Sequence, residues 1–192
     1  MMLAAFADPV FDSQRSFREL LQAMARPAVP RILPTLPPAP SPVASAAMAI
    51  LLTLCDATTS LWIQQSTEEV HDHLRFHTGL RLVDTPREAD FALITTPASM
   101  PPLNAFAHGE LRYPDRSATL IVQVDGFRHD AGTRFVGPGI RDEERLHIDG
   151  LPADFWSQRA ALATQFPLGV DVFFVTAQHV LALPRTARLL ES

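Results

Sequence analysis

The chain has no lysine: all 16 of its basic side chains are arginine. That absence excludes a Schiff base to pyridoxal phosphate, which needs a lysine amine. It also excludes a Walker-type phosphate loop with its lysine. Genomic base composition can account for the bias, but the chemical exclusions hold either way. Cysteine is nearly absent too. Cys55 alone cannot form an intramolecular disulfide or a CxxC pair for zinc or redox work, and one thiolate cannot hold an iron–sulfur cluster. Its neighbours Leu51, Leu52 and Leu54 predict a buried, inert thiol. There is no basic excess: the formal charge is −5, which argues against a general nucleic-acid face but leaves room for a local arginine-lined anion pocket. The longest apolar run, residues 43–55, is too short to span a bilayer. No positive region precedes an apolar stretch at the N-terminus, and Asp8-Pro9 interrupts it, so the expectation is a cytoplasmic protein with no secretory signal and no membrane partner.

What is present points to one α/β domain over residues 1–192. Apolar residues make up 47% and charged residues 19%, the balance of a packed core. Asp12 or Ser13 is expected to cap a helix running to about Ala25, with Phe17, Leu20, Leu21 and Met24 on one stripe. Arg26-Pro27 ends it. The proline-dense segment 27–42 reads as an extended loop, on the surface or on a partner, rather than a linker. Ser41-Pro42 opens a second helix, residues 43–54, apolar nearly all round and therefore buried. Residues 61–63 read as a strand, and Thr67-Glu68-Glu69 starts a third helix with acids at its positive end. Apolar runs at 91–94, 120–124, 134–136, 172–175 and 180–183 read as strands, and residues 152–164 as a helix. Apolar strands alternating with helices predict a mixed sheet covered on both faces, its last two strands forming a hairpin.

Chemistry-bearing motifs are few. Glu69, His73 and His77 share a helical face, but HExxH is absent and no further ligand cluster accompanies them. A solvated face or a hydrogen-bonded histidine is the simpler reading, and no metal is expected. Arg75-Phe76-His77-Thr78 offers a guanidinium fork and further donors for phosphate or carboxylate; alternatively Arg75 pairs with an acid while Thr78-Gly79 begins the exit turn. Gly137-Pro138-Gly139-Ile140 could aim backbone N–H groups at an anion, although Pro138 lacks one. A tight structural turn is the favoured reading, because Asp142 breaks the dinucleotide pattern. Residues 141–145 are mixed in sign and read as solvated. In Phe166-Pro167-Leu168-Gly169-Val170-Asp171, Asp171 could be a functional carboxylate, cap a turn or pair with Arg185. Pairing is favoured, since an inward-turned arginine needs a partner. The ligand-binding candidates are thus Arg75, His77, Gly137, Gly139, Asp171 and Arg185, with no catalytic set and no cofactor.

In their order these pieces resemble the H subunit of the bacterial carbon–phosphorus lyase system for phosphonate breakdown. The resemblance runs from Phe6 and Asp12-Ser13-Gln14-x-x-Phe17-Arg18 through Met24, Pro27, Leu51-Leu52-Thr53-Leu54-x-Asp56, Arg75-Phe76-His77-Thr78 and Ala118-Thr119-Leu120-Ile121. It closes with Gly137-x-Gly139-Ile140, the 166–171 segment and Pro184-Arg185-Thr186. Ala28 stands where the family usually has glycine, which bears on the local turn. The resemblance implies a fold similar to pyridoxal-phosphate-dependent transferases but without that cofactor, a homodimer when isolated, and a core complex with the G, I and J subunits and an associated nucleotide-binding-cassette subunit. It further implies that the G, H, I and L subunits support displacement of adenine from ATP by a phosphonate, giving a ribose 1-phosphonate triphosphate. The radical step that breaks the C–P bond, with its iron–sulfur cluster, would belong to the J subunit. The expected role is a subunit that is not catalytic by itself. The alternatives are an Arg75, His77 and Arg185 site for phosphonate or triphosphate, or a stand-alone enzyme on this fold.

Overall fold

The apolar runs of the sequence are buried on both faces, and a strict alternation divides them between two cores. Leu93, Ile121, Phe173, Val175, Val180 and Ala182 face one core; Ala92, Ile94, Leu120, Val122, Val172, Phe174, Leu181 and Leu183 face the other. Successive side chains on a strand point to opposite sides, so each run feeds both layers.

The computed structural model describes residues 3–190. Its helices are α1 (Pro9–Ala25), α2 (Ser45–Leu54), α3 (Glu68–Thr78) and α4 (Phe155–Ala163). The first strands are β1 (Arg31–Ile32), β2 (Ser60–Ile63), β3 (Arg81–Leu82), β4 (Phe91–Ile94), β5 (His108–Glu110) and β6 (Tyr113–Ser117). Then follow β7 (Thr119–Gln123), β8 (Phe127–Val136), β9 (Glu144–Ile148), β10 (Asp171–Val175), β11 (His179–Leu183) and β12 (Arg188–Leu189). The central sheet has seven strands in the order β1-β11-β10-β7-β4-β2-β3. From β3 to β10 the neighbours are parallel; β11 runs antiparallel to β10, with Phe173 opposite Ala182, and to β1. The expected mixed sheet and terminal hairpin are therefore present. Helices α1, α2 and α3 pack on one face. On the other lie α4 and a three-stranded sheet, β12-β8-β9, which contributes Phe135, Leu146 and Ile148 to the core. The hairpin β5-β6 forms a separate two-stranded sheet.

Three local expectations are corrected. Helix α1 begins at Pro9, not after Asp12: Asp8 is the cap and accepts from the Phe11 N–H at 3.2 Å. Asp12 instead lies buried inside the helix, accepting from the Asp8 N–H (3.0 Å), Arg15 (2.5 Å) and Thr35 (3.1 Å). Those bonds, the Asp8 amide first, hold its pKa below the ordinary carboxylate value. The helix also buries a different stripe. Asp12, Ser16, Leu20 and Ala23 face inward, while Phe17 and Leu21 are half exposed. Small residues let α1 approach the alanine-rich α2 closely, and that closeness outweighs the side-chain size that the hydrophobic pattern counts.

Helix α2 starts at Ser45 rather than 43; Ala44 is the cap, and its N–H donates to Gln123 Oε1 at 2.7 Å. As expected, residues 46–51 are wholly buried. The proline segment folds back on the chain itself: Pro27, Leu33, Pro37 and Pro40 are buried, and β1 adds to the sheet edge, reinforced by Leu33 N–H to the Gln178 carbonyl at 3.0 Å.

Candidate functional site

Arg185 follows β11 and Asp171 opens β10, so the hairpin brings them together at the amino edge of the parallel strands. The Arg185 backbone N–H donates to Asp171 Oδ1 at 2.7 Å, Nε to both carboxylate oxygens at 3.3 and 3.2 Å, and Nη2 to Oδ2 at 2.6 Å. Nη1 donates to the Pro114 and Pro167 carbonyls at 2.7 and 3.4 Å, and Nη2 also reaches Ser117 Oγ. Every guanidinium nitrogen is therefore engaged. The pair joins β10, the end of β11, the β5-β6 hairpin and the loop before β10, all through charge-assisted bonds. Pairing of Asp171 with Arg185 is what the structure shows.

Gly137 and Gly139 sit beside this junction. Gly139 has φ +86°, and a Cβ there would lie 2.2 Å from the Ala25 carbonyl oxygen and 2.8 Å from Pro27 Cδ. A Cβ on Gly137 would lie 2.7 Å from the Thr186 carbonyl oxygen. Both glycines thus let the turn after β8 touch the end of α1 and the segment after Arg185. The third strand of that meeting place is the turn after α1. Ala28, buried, has φ +65° and donates its N–H to the Ala182 carbonyl at 3.0 Å. A left-handed alanine is strained, which explains why glycine suits this position.

The other candidates lie on α3, on the opposite side of the sheet order. Thr67 caps the helix, and Gly79, with φ +72°, ends it. Arg75 is exposed, and no ion pair involves it among the described residues; Phe76 is also exposed. Thr78 Oγ1 donates to the Leu74 carbonyl, so the exit-turn reading holds while the expected acid partner is missing. His77 Nε2 is 3.2 Å from the Leu3 carbonyl oxygen, and its ring stacks edgewise on His73 with centroids 4.5 Å apart. His73 is neither solvated nor hydrogen-bonded among the described residues, contrary to both simple readings: it is 1% exposed, and neither ring nitrogen has a partner among them. Burial first, then the neighbouring His77, lowers its pKa, while Glu69 opposes the change. No described contact joins Arg75 or His77 to the Arg185 junction. Among the described residues no group of three or more metal-ligating side chains is gathered.

Sequence reasoning missed Ser117 and Arg159. Arg159 lay without an assigned role within the expected helix of residues 152–164, yet its guanidinium is buried and binds the Leu183 and Pro184 carbonyls at 3.1 and 2.6 Å. At the carboxyl edge, where open α/β sheets commonly bind ligands, Thr95, Thr96, Gln123, Asp125 and Gly150 line a cleft of ≈ 330 Å³. Its lining carries no arginine. The reversal of strand order between β2 and β4 is closed by Gln64, which bonds both the Thr96 carbonyl (3.1 Å) and N–H (2.9 Å). Cys55 is buried, and that burial pushes its thiol pKa up to about 12, as an inert thiol requires.

The fold and this geometry define an α/β chain whose recurrent polar motifs are spent on internal junctions. Residues 4–190 match the family described as bacterial phosphonate metabolism protein (PhnH), and the chain belongs to that family. It is 38% identical over 187 residues to a Rhizobium meliloti (strain 1021) protein named as the PhnH subunit of alpha-D-ribose 1-methylphosphonate 5-triphosphate synthase; the alignment covers 96% of this chain and 94% of that one. It is 31% identical over 180 residues, 92% and 85% of the two chains, to HtxG of Stutzerimonas stutzeri, proposed as a C-P lyase subunit protein.

Proposed function

We propose that the chain is a subunit of a carbon–phosphorus lyase assembly in organophosphonate catabolism. There it supports, with the G, I and L subunits, formation of ribose 1-alkylphosphonate 5-triphosphate from ATP and phosphonate, without being catalytic by itself. The observation that carries this is the near full-length relative named as a subunit of that synthase. A structural role for the motifs is supported by Arg185 and Asp171, whose hydrogen-bonding capacity is consumed inside the chain. A role in assembly is supported by the outer face of α1, where Val10, Phe17 and Leu21 recur at i, i+7 and i+11, all at least half exposed. Apolar surface of that kind marks protein contacts. The same reading assigns the G, I and J subunits and the nucleotide-binding-cassette subunit as partners, a homodimer as the isolated form and the cytoplasm as the site of action. No described helix is long and apolar enough to cross a membrane. The proposed likeness to pyridoxal-phosphate-dependent transferases has the seven-stranded mixed sheet as its support. A second reading, in which Arg75 and His77 meet a phosphonate or triphosphate, has the exposed end of α3 in its favour.

The test is co-expression with the G, I and J subunits, followed by size-exclusion chromatography and native mass spectrometry. Stoichiometric incorporation is expected. Assembly of the others while this chain stays outside contradicts the proposal.

A further inference from the structure

Arg159 lies on α4 among Leu162, Leu168 and Val170 and is only 4% exposed. Its two bonds to the Leu183 and Pro184 carbonyls both come from Nη2. Nε is buried with no partner, and no carboxylate contacts the group among the described residues. Asp171 supports it electrostatically, but both oxygens of Asp171 are taken by Arg185. Two guanidinium charges therefore share one carboxylate in an apolar surround. Burial lowers the Arg159 pKa to about 10, which leaves it charged at neutral pH. A buried charge without a counter-charge is costly. Capping the end of β11 accounts for Nη2 but not for Nε. Between Arg159 and Arg185 is a cavity of ≈ 10 Å³, also lined by Gly169 and Ala187, room for about one water-sized sphere.

We propose that this cavity is an anion site: it takes a single anionic atom, either a halide or one oxygen of a tetrahedral oxyanion seated at the mouth, beside the Arg159 guanidinium and held by its uncompensated charge. The site goes beyond the assembly role and does not depend on it. An anion there would complete the charge balance that Asp171 leaves at +1, and would tie α4 to the turn between β11 and β12.

The experiment uses the purified full-length chain. Bromide-soaked crystals are examined by anomalous scattering, and ³⁵Cl NMR line broadening is followed on titration with inorganic phosphate at constant ionic strength. A bromide peak at the Arg159 guanidinium is expected, together with saturable chloride broadening. Displacement of chloride by stoichiometric phosphate identifies an oxyanion site; resistance to phosphate identifies a halide site. An Arg159→Gln variant should weaken the broadening about ten-fold or more, the worth of one charge-assisted hydrogen bond. Absence of bromide at Arg159, a water alone in its place, or broadening that is unchanged in a folded variant overturns the proposal.

Discussion

The two places where the sequence gathers candidate binding residues, the Arg185 junction and the end of α3, solve the problem of buried polarity in opposite ways. At the junction every guanidinium nitrogen of Arg185 has a partner: it makes contacts with Asp171, Ser117 and two backbone carbonyls. On α3, His73 is buried deeper yet makes no hydrogen bond among the described residues, while Arg75 beside it is exposed. A saturated network rigidifies what it joins, and an orphaned group destabilises what it sits in. The junction, where the sequence already favoured an internal pair, is thus the more structural of the two, and the histidine face that looked incidental carries unspent polarity.

Four substitutions sharpen that contrast. Gly139→Ala should have the largest effect: the clash with the Ala25 carbonyl and the positive φ together cost about 2–5 kcal/mol by urea denaturation. Arg185→Gln strands the half-buried Asp171 and should cost about 2–4 kcal/mol, between the values for surface and fully buried pairs. On α3 the sign reverses. His73→Leu should raise stability at pH 7 by about 1–2 kcal/mol, because two unpaired nitrogens leave the core.

His73 also sets a pH window. Its folded pKa is lowered by burial and by His77, with Glu69 opposing. As pH falls the unfolded chain therefore takes up the proton first. The stability tied to neutral His73 is full above about pH 6.5 and is lost as pH drops toward the folded value. The variant should flatten that part of the stability–pH profile measured by thermal melts. Arg75→Ala, at the exposed end of α3, should change stability by less than about 0.5 kcal/mol. A larger loss would show that Arg75 belongs with the saturated class.

Much of the sheet was legible because its strands are short apolar runs: residues 91–94 form β4 as read, and 172–175 and 180–183 lie within β10 and β11. Thr67 announced α3 through its hydroxyl and the acids that follow. The polar strands were not legible. Only residues 134–136 of β8 read as strand; Arg128, Glu144 and His147 alternate with apolar residues in β8 and β9 and look like solvated loop, because that sheet shows one face to water. The Asp8 cap was hidden by Asp12-Ser13, an equally good capping pair that lies inside the helix instead, with Asp12 buried. Within the site, the Asp171–Arg185 pair followed from the hairpin. Ser117 and Arg159 come from remote segments, and only the tertiary fold brings them to the junction.

The most direct test of this account is a double-mutant cycle on Asp171→Asn and Arg185→Gln, with unfolding free energy measured by urea denaturation of the purified chain. The account predicts that both single variants are destabilised and that the pair couples by about 1–3 kcal/mol. Single variants as stable as the parent, with activity of the assembled complex nevertheless lost, would contradict it and return these two residues to a ligand.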